Sequence, residues 1–245
     1  MAAITVDENE LTEVKDKIST AIEILLWELA DMMGHVSVRT PDGEHFLMRH
    51  LRPPEDPGIP EDDVVAFDLE GKKIFGKRSA GGKGSEIYFH TYPYKRTKNV
   101  GAVIHCHPPL TIALAAVGQK IIPLNHRHKF TEVPIVPWIY GSLPDHGEIA
   151  TNAMAENCAV VIEGHGAVVT GETLEEACVN MVHLEQAAKM ILLAGPLGKV
   201  KPISPDAVKT FRSLVEVRQT VSGRPLAEWR YWESQIKKGQ HWTKI

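Results

Sequence analysis

Hydrophobic and polar residues alternate along the chain with two different periods. Apolar residues recur every three to four positions over residues 11–33, which predicts an amphipathic helix. Two short segments of strand-like alternation follow, with Asp42 and Gly43 between them, and a second such pair spans residues 64–75. Since Asp-Gly and similar dipeptides favour tight turns, both pairs are predicted to be β-hairpins.

The rest of the chain continues this mixture of strands and helices. Residues 101–106 form an apolar run typical of a buried strand, and 159–171 are predicted to be two strands bent at glycines. Residues 172–195 have the periodicity of a long amphipathic helix, and the tail from about residue 199 is more polar and predicted to be helical. With no evident linker, we expect residues 1–245 to form a single α/β or α+β domain with helices over a mixed sheet.

Composition narrows the classes of function. The 245 residues are 43% hydrophobic and 24% charged, which is ordinary for a globular protein. A net charge of −4 offers no basic excess for phosphates, so neither nucleic acid nor a membrane surface is expected as a partner. The N-terminal segment lacks the apolar core of a signal peptide, and no apolar run reaches the ~18 residues of a membrane span. Three widely spaced cysteines favour reduced thiols and a cytoplasmic location.

The first candidate for chemistry is a pair of histidines at the end of the strand predicted over 101–106. Side chains alternate along a strand, so His105 and His107 should project to one side while Cys106 points to the core. Two imidazoles on one side of a strand end are a common metal-binding arrangement. Two hydrogen-bonded histidines at a sheet edge explain the pattern equally well. The pair alone leaves both interpretations open.

Two further residues bear on this choice. His165 lies between glycines at a predicted strand bend, where the missing side chains would let a ligand approach closely. Glu86 follows a glycine-rich loop and falls in the first turn of a helix predicted to begin near Ser85. Each also has an ordinary structural explanation, as a turn histidine and as a carboxylate that stabilises a helix N-terminus.

Three segments together resemble the class II aldolase/adducin family. They are SEIYFHTYPYK, GAVIHCHPP and EGHGAVVTGETLEEA, and their order and spacing match that family over roughly residues 20–195. The resemblance implies a three-layer α/β/α fold with a central, largely antiparallel mixed sheet, in a homotetramer with active sites between neighbouring subunits. It also implies that His105, His107 and His165 bind a metal ion. Glu86 is implied to be a further ligand, a catalytic acid or base, or both.

These residue types suit a carbon–carbon lyase. Three histidines leave an open coordination position on a divalent ion; zinc is expected first, and manganese or iron would also be accepted when a carboxylate joins. The ion can act as a Lewis acid for the enolate left when a carbon–carbon bond breaks, and Glu86 can carry the proton. Decarboxylation, aldol cleavage, dehydration and epimerisation share this chemistry. A non-enzymatic adducin-like module is disfavoured because all three histidines are present.

The segments expected to hold the substrate favour an acid over a sugar phosphate. Sugar-phosphate aldolases of the family carry an asparagine before Val-Ser and a small-residue phosphate turn. This chain instead has His35, and Arg49 and Arg52 further on. Arginine can hold a carboxylate through two parallel hydrogen bonds, although each arginine singly is also explained as a solvated charge. We therefore expect a decarboxylase of hydroxylated carboxylic acids, aromatic acids included, with an aldolase as the alternative.

The remaining site candidates are polar residues in the same segments. Ser37 and Ser85 are expected to contact the substrate, and Tyr140 is a candidate proton donor. His126 and His128 form a second basic cluster, which resembles the first pair in spacing. Because no third ligand lies near them in sequence, a substrate-facing strand end or a subunit interface is expected there rather than a second metal site.

Overall fold

A computed structural model describes residues 8–31, 33–50, 64–76, 86–222 and 227–240. The helices are α1 (Glu8–Leu29), α2 (Tyr88–Arg96), α3 (Pro109–Ala116), α4 (Pro144–Met154), α5 (Leu174–Ala194), α6 (Pro205–Ser222) and α7 (Ala227–Lys237). The strands are β1 (His35–Arg39), β2 (His45–His50), β3 (Val65–Asp68), β4 (Lys73–Phe75), β5 (Ala102–Cys106), β6 (Ile135–Val136), β7 (Ala159–Ile162) and β8 (Gly166–Gly171). No helix within the described ranges is long and apolar enough to cross a membrane.

The eight strands form one sheet in the order β4-β3-β2-β1-β5-β8-β7-β6. Neighbouring strands are antiparallel, except that β6 and β7 are parallel. Helices α1, α3, α5 and α7 pack on one face of the sheet, and α2 and α4 pack on the other. The predicted three-layer α/β/α fold with a largely antiparallel mixed sheet is confirmed.

Alternation along β5 divides its side chains between these two cores. Ile104 and Cys106 pack with α1 and α5, whereas Val103 packs with α2 and α4. His105 has the same parity as Val103, and its ring centroid lies 5.0 Å from that of Phe89 on α2. Cys106 is fully buried on the opposite side, as expected, and this burial raises the pKa of its thiol. The two faces of one short strand therefore separate an inert thiol from a polar site.

Two helix ends differ from the predictions. Helix α1 ends at Leu29, before the predicted end at residue 33, because Ala30 takes a left-handed conformation with φ of 53°. Helix α2 begins at Tyr88, so Glu86 precedes the helix instead of lying in its first turn. The physical reason is that the amide N–H groups of Glu86 and Tyr88 donate to the loop before α4, at Ser142 Oγ and the Gly141 carbonyl oxygen.

Of the second histidine pair, His126 is exposed and its ring centroid lies 4.1 Å from that of Phe211 on α6, whereas His128 is buried. The rings of His128 and His183 have centroids 5.6 Å apart, and His183 Nε2 lies 3.8 Å from Glu228 Oε1 of α7. Burial, together with the nearby His183 and Arg127, lowers the pKa of His128 to about 3. Burial and Arg127 lower the pKa of His183 to about 4. These neutral histidines join the loop before β6 to the C-terminal helix, rather than facing a substrate.

Acidification is expected to destabilise the protein through His128 and His183. Because the folded state lowers both pKa values below the ordinary 6.5, the unfolded chain takes up protons that the folded chain does not. This contribution to stability is complete above pH 6.5 and declines towards pH 4, by at most about 1.4 kcal/mol per pH unit for each histidine. Urea unfolding between pH 7.5 and 4.5 should show a shallower decline in a His128→Asn/His183→Gln double variant. Equal slopes in the two proteins would contradict the prediction.

Candidate metal centre

Four side chains converge at one end of the central strands. They are those of Glu86, His105, His107 and His165, and one ligand atom from each lies within 4.8 Å of all the others. The ring centroid of His105 is 4.8 Å from that of His107 and 5.0 Å from that of His165. The structure thus brings together all the residues for which a role at the metal was predicted.

The antiparallel register of β5 and β8 explains why the histidines meet. Cys106 at the end of β5 pairs with Ala167 near the start of β8, so the turn that carries His165 lies next to His107. A side chain at Gly166 would place its Cβ 2.4 Å from the carbonyl oxygen of Cys106. The space around this glycine was expected to admit a ligand, and it is instead occupied by the end of β5.

Each of the three imidazoles is oriented by a hydrogen bond at Nδ1. His105 Nδ1 lies 3.0 Å from a carbonyl oxygen of β8, and His165 Nδ1 lies 2.8 Å from the carbonyl oxygen of Ile139. His107 Nδ1 lies 3.2 Å from a carboxylate oxygen of Asp31. Since carbonyl and carboxylate oxygens only accept hydrogen bonds, all three Nδ1 atoms carry the proton. Each Nε2 atom is left with a free lone pair, as a metal ligand requires.

The carboxylate of Glu86 completes this set of donors. Its Oε2 lies 3.1 Å from His105 Nε2, and its Oε1 lies 3.1 Å from His165 Nε2. His105 Nε2 is buried and lies close to this oxygen, but it forms no hydrogen bond with any residue that the structure describes. Three imidazole nitrogens with free lone pairs and a carboxylate are a fitting ligand set for a divalent ion. The cluster could therefore hold a metal ion.

Electrostatics favour the ligand forms of Glu86 and His105, whereas at His165 the carboxylate of Glu86 outweighs burial and raises the pKa of the imidazole. Burial alone would raise the pKa of Glu86, but the neighbouring imidazoles of His105 and His165 outweigh it and hold that pKa well below its ordinary range. Burial lowers the pKa of His105, which keeps its ring neutral. An ionised carboxylate beside a neutral imidazole is the state in which both groups bind a cation.

Glu86 is held at this position by an uncommon backbone conformation. Its φ of 49° lies in the left-handed region, which costs a non-glycine residue on the order of 1 kcal/mol. The amide of Gly141 lies 3.4 Å from Glu86 Oε1, and the amide of Glu86 lies 3.2 Å from Ser142 Oγ. The loop before α4 thus fixes both the backbone and the carboxylate of Glu86.

His35 and Ser37 lie behind the cluster rather than at an open surface. The side chains are 4% and 0% exposed, and the ring of His35 is stacked on that of His105 with centroids 5.8 Å apart. Ser37 Oγ lies 2.7 Å from His90 Nδ1 and 2.8 Å from the Tyr94 hydroxyl. Burial and these bonds do not support the direct substrate contacts expected of them. Both side chains pack behind the Glu86 and histidine cluster.

Arg49 lies on the other face of the sheet. It pairs with Val36 of β1, whose side chain belongs to the core under α1, and its Nη1 donates to Ser19 Oγ of α1 at 2.8 Å. Because strand parity directs Arg49 away from His105, the structure gives no support within one chain to its expected contact with a substrate carboxylate. Arg52 and Ser85, also expected at the substrate, lie outside the described residues.

Two aromatic residues extend from the cluster towards solvent. The ring of Tyr140 has its centroid 6.1 Å from that of His165. Trp138 is 61% exposed, and its ring is parallel to that of Tyr140 within 5°, with centroids 6.4 Å apart. Tyr140 was predicted to lie at the site, and Trp138 was not. The sequence signal for Trp138 was its position two residues before Tyr140, which places both on one side of an extended segment.

Known proteins resemble this chain in sequence and in structure. The family described as Class II Aldolase and Adducin N-terminal domain matches residues 27–192. A 3,4-dihydroxyphthalate decarboxylase of Arthrobacter keyseri is 26% identical over 210 residues, covering 79% of this chain and 83% of that protein. A 3-oxo-tetronate 4-phosphate decarboxylase of Escherichia coli strain K12 is 33% identical over 129 residues, covering 49% and 60%. An L-fuculose 1-phosphate aldolase structure shares the fold, with a TM-score of 0.71 at 20% identity over 86% of this chain and 98% of that one.

Proposed function

Because the chain belongs to the class II aldolase and adducin family, we propose that it is a metal-dependent carbon–carbon lyase that decarboxylates hydroxylated carboxylic acids. The observation that carries this proposal is the cluster of Glu86 with three histidines, each oriented through Nδ1 so that Nε2 is free to bind. A module without enzymatic activity has no need of such a cluster. Relatives named as decarboxylases and aldolases support the same class of reaction.

The proposed metal ligands are Nε2 of His105, His107 and His165, with the carboxylate of Glu86. Zinc is the first choice for this set, and manganese or iron would also suit three imidazoles and a carboxylate. A bound divalent ion would supply Lewis-acid stabilisation of the negative charge that develops as the carbon–carbon bond breaks. The same cluster would serve aldol cleavage, so the chemistry of the metal does not itself select decarboxylation.

Other side chains would orient the substrate and move the proton. The carboxylate of Glu86 is the proposed proton carrier, because its oxygens lie in the middle of the cluster. Tyr140, beside His165, is a second candidate proton donor. Phe89 packs against the rings of His105 and His165 and keeps water from the buried side of the cluster. Proton transfer would therefore take place on the open side, near Tyr140.

We propose aromatic acids as the first substrate class to test. The ring of Tyr140 lies beside His165, and that of Trp138 lies parallel to it further out; an aromatic ring could stack on these flat apolar surfaces. A relative named 3,4-dihydroxyphthalate decarboxylase, which this chain matches over most of its length, supports this class. A relative named L-fuculose phosphate aldolase is 28% identical over 141 residues and supports the alternative, aldol cleavage of a sugar phosphate.

The deciding experiment measures products from two substrate panels. Purified protein is stripped of metal, reloaded with zinc, manganese or iron, and incubated with hydroxylated aromatic and aliphatic acids and with ketose phosphates. Release of CO2 from an acid, dependent on added metal, would support the proposal. Cleavage of a ketose phosphate into two carbonyl fragments, with no CO2 from any acid, would replace it with the aldolase.

Replacing Trp138 by alanine is expected to weaken binding of an aromatic substrate. Loss of one stacking surface should raise KM about 2- to 12-fold, since an aromatic pair contributes ~0.5–1.5 kcal/mol beyond its buried area. Trp138→Phe keeps a ring at this position and should retain most of the affinity. Because Trp138 is exposed and contacts no metal ligand directly in the ring pairs observed, the bound metal should stay unchanged in both variants. An unchanged KM in Trp138→Ala would place the substrate elsewhere.

We also propose a homotetramer in the cytoplasm. Large apolar side chains that are more than half exposed in the single chain support burial in an interface; they include Met33, Val117, Leu193 and Leu197. The three cysteines are all free, which suits a reducing compartment. In a tetramer with sites between subunits, residues of a neighbouring chain would complete the open side of the metal cluster.

A further inference from the structure

Asp31 ties the connection between α1 and β1 to the metal cluster. The residue is buried, with 7% of its surface exposed. Its Oδ2 accepts a hydrogen bond from the backbone N–H of His107 at 2.6 Å and lies 3.2 Å from His107 Nδ1. Its Oδ1 accepts one from the N–H of Met33 at 2.9 Å. Both carboxylate oxygens are therefore engaged, and one of them serves His107 twice.

The local backbone brings Asp31 to this position. The left-handed Ala30 ends α1, and Gly34 packs closely on the end of β5. At Gly34 a Cβ atom would lie 2.3 Å from the carbonyl oxygen of His105 and 3.0 Å from Cys106 Sγ, so only glycine permits this approach. The connection is thereby held beside the point where the chain leaves β5 towards His107.

His107 is the histidine of the cluster that most needs such support. Its side chain is 25% exposed, compared with 0% for His105 and 11% for His165. His107 also lies beyond Cys106, the last residue of β5, so strand pairing does not fix its backbone. Whereas His105 and His165 donate from Nδ1 to neutral carbonyl oxygens, His107 donates to a carboxylate.

On the premise of the proposed metal site, we infer that Asp31 is a positioning residue that sets the affinity of that site for its ion. The carboxylate holds His107 in the tautomer with the proton on Nδ1, so that the lone pair of Nε2 faces the other ligands. A carboxylate acceptor also makes the imidazole a stronger ligand than a carbonyl acceptor does. Asp31 would touch neither the ion nor the substrate, and would act only through His107.

The test is the variant Asp31→Asn. Asparagine has the shape of aspartate but only one acceptor oxygen, whereas three N–H groups point at this side chain: the backbone and Nδ1 of His107 and the backbone of Met33. Whichever way the amide is turned, its NH2 group faces an N–H of His107 or of Met33. Competition with a chromophoric chelator should show zinc or cobalt bound about 10- to 100-fold more weakly than by the wild type. Asp42→Asn is the matched control. Asp42 likewise accepts from backbone and from a histidine Nδ1, that of His45, but in the β1–β2 turn away from the cluster.

The melting temperature of the metal-free variant, metal binding by the wild type and histidine 15N spectra separate the possible outcomes. A variant with a lower melting temperature in the metal-free state but wild-type metal affinity would show a purely structural Asp31 and overturn the inference alone. A wild type that binds no divalent ion would overturn the proposed function and the inference with it. Should Asp31→Asn fail to fold, histidine 15N spectra of the metal-free wild type above pH 8 decide: His107 protonated at Nδ1 is expected, and protonation at Nε2 would overturn the inference.

Discussion

Replacing Glu86 by glutamine is expected to lower turnover by roughly 10²–10⁴-fold, the usual contribution of a positioned acid or base. Glutamine has nearly the same size but cannot ionise, so it neither carries a proton nor offers an anionic oxygen between His105 and His165. The fold should persist, because the amide N–H of residue 86 and its bond with Ser142 are unchanged. Turnover at saturating substrate and metal, with circular dichroism melting, would test both statements.

A matched control for this variant is Glu148→Gln. Glu148 is an exposed glutamate on α4, so its change removes one negative charge without touching the cluster. Metal content should be measured in both variants, because Glu86→Gln could act through loss of the ion as well as through loss of the proton carrier. If Glu86→Gln retains the metal and wild-type turnover, Glu86 is neither a necessary ligand nor the acid or base.

The parts of the fold that depend on neighbouring residues were predictable from sequence. The β1–β2 hairpin turns at Asp42 and Gly43 as expected, with Gly43 at a φ of 76°, because the turn chemistry lies within a few residues. The opposite orientations of His105 and Cys106 follow from strand alternation alone. The resemblance to a known family supplied the order of layers, which no local pattern could provide.

What could not be predicted depends on strand register and on contacts between distant segments. Arg49 was expected at the substrate, but the pairing of β2 with β1 places it on the α1 face, opposite to His105. Asp31 lies 76 positions from His107 in sequence, and no motif joins them. For Glu86, local helix signals favoured a first-turn position, and hydrogen bonds to the distant loop before α4 overrode them. In each case a tertiary contact determined the outcome.

If the proposed metal site is right, replacing His165 by alanine should strongly weaken metal binding and, with it, activity. One of four ligands would be lost from a site of the kind that provides ~10–16 kcal/mol to zinc binding, so affinity should fall on the order of 10²–10³-fold. The effect on folding should be small. His165 lies in the β7–β8 turn, and its removal leaves the carbonyl oxygen of Ile139 without one hydrogen bond, which costs about 1 kcal/mol.

His165 is the best of the three histidines for this test because the others have additional structural roles. His105 is fully buried between Phe89 and His35, so its truncation would leave a cavity. The control is His45→Ala, which removes a histidine that also bonds through Nδ1, to Asp42 in a surface turn. Metal content after dialysis, chelator competition and turnover should all fall in His165→Ala and remain unchanged in His45→Ala. His165 is one of the four proposed ligands. A His165→Ala protein with wild-type metal affinity would therefore mean that the ion binds elsewhere, and the proposed metal centre would be wrong.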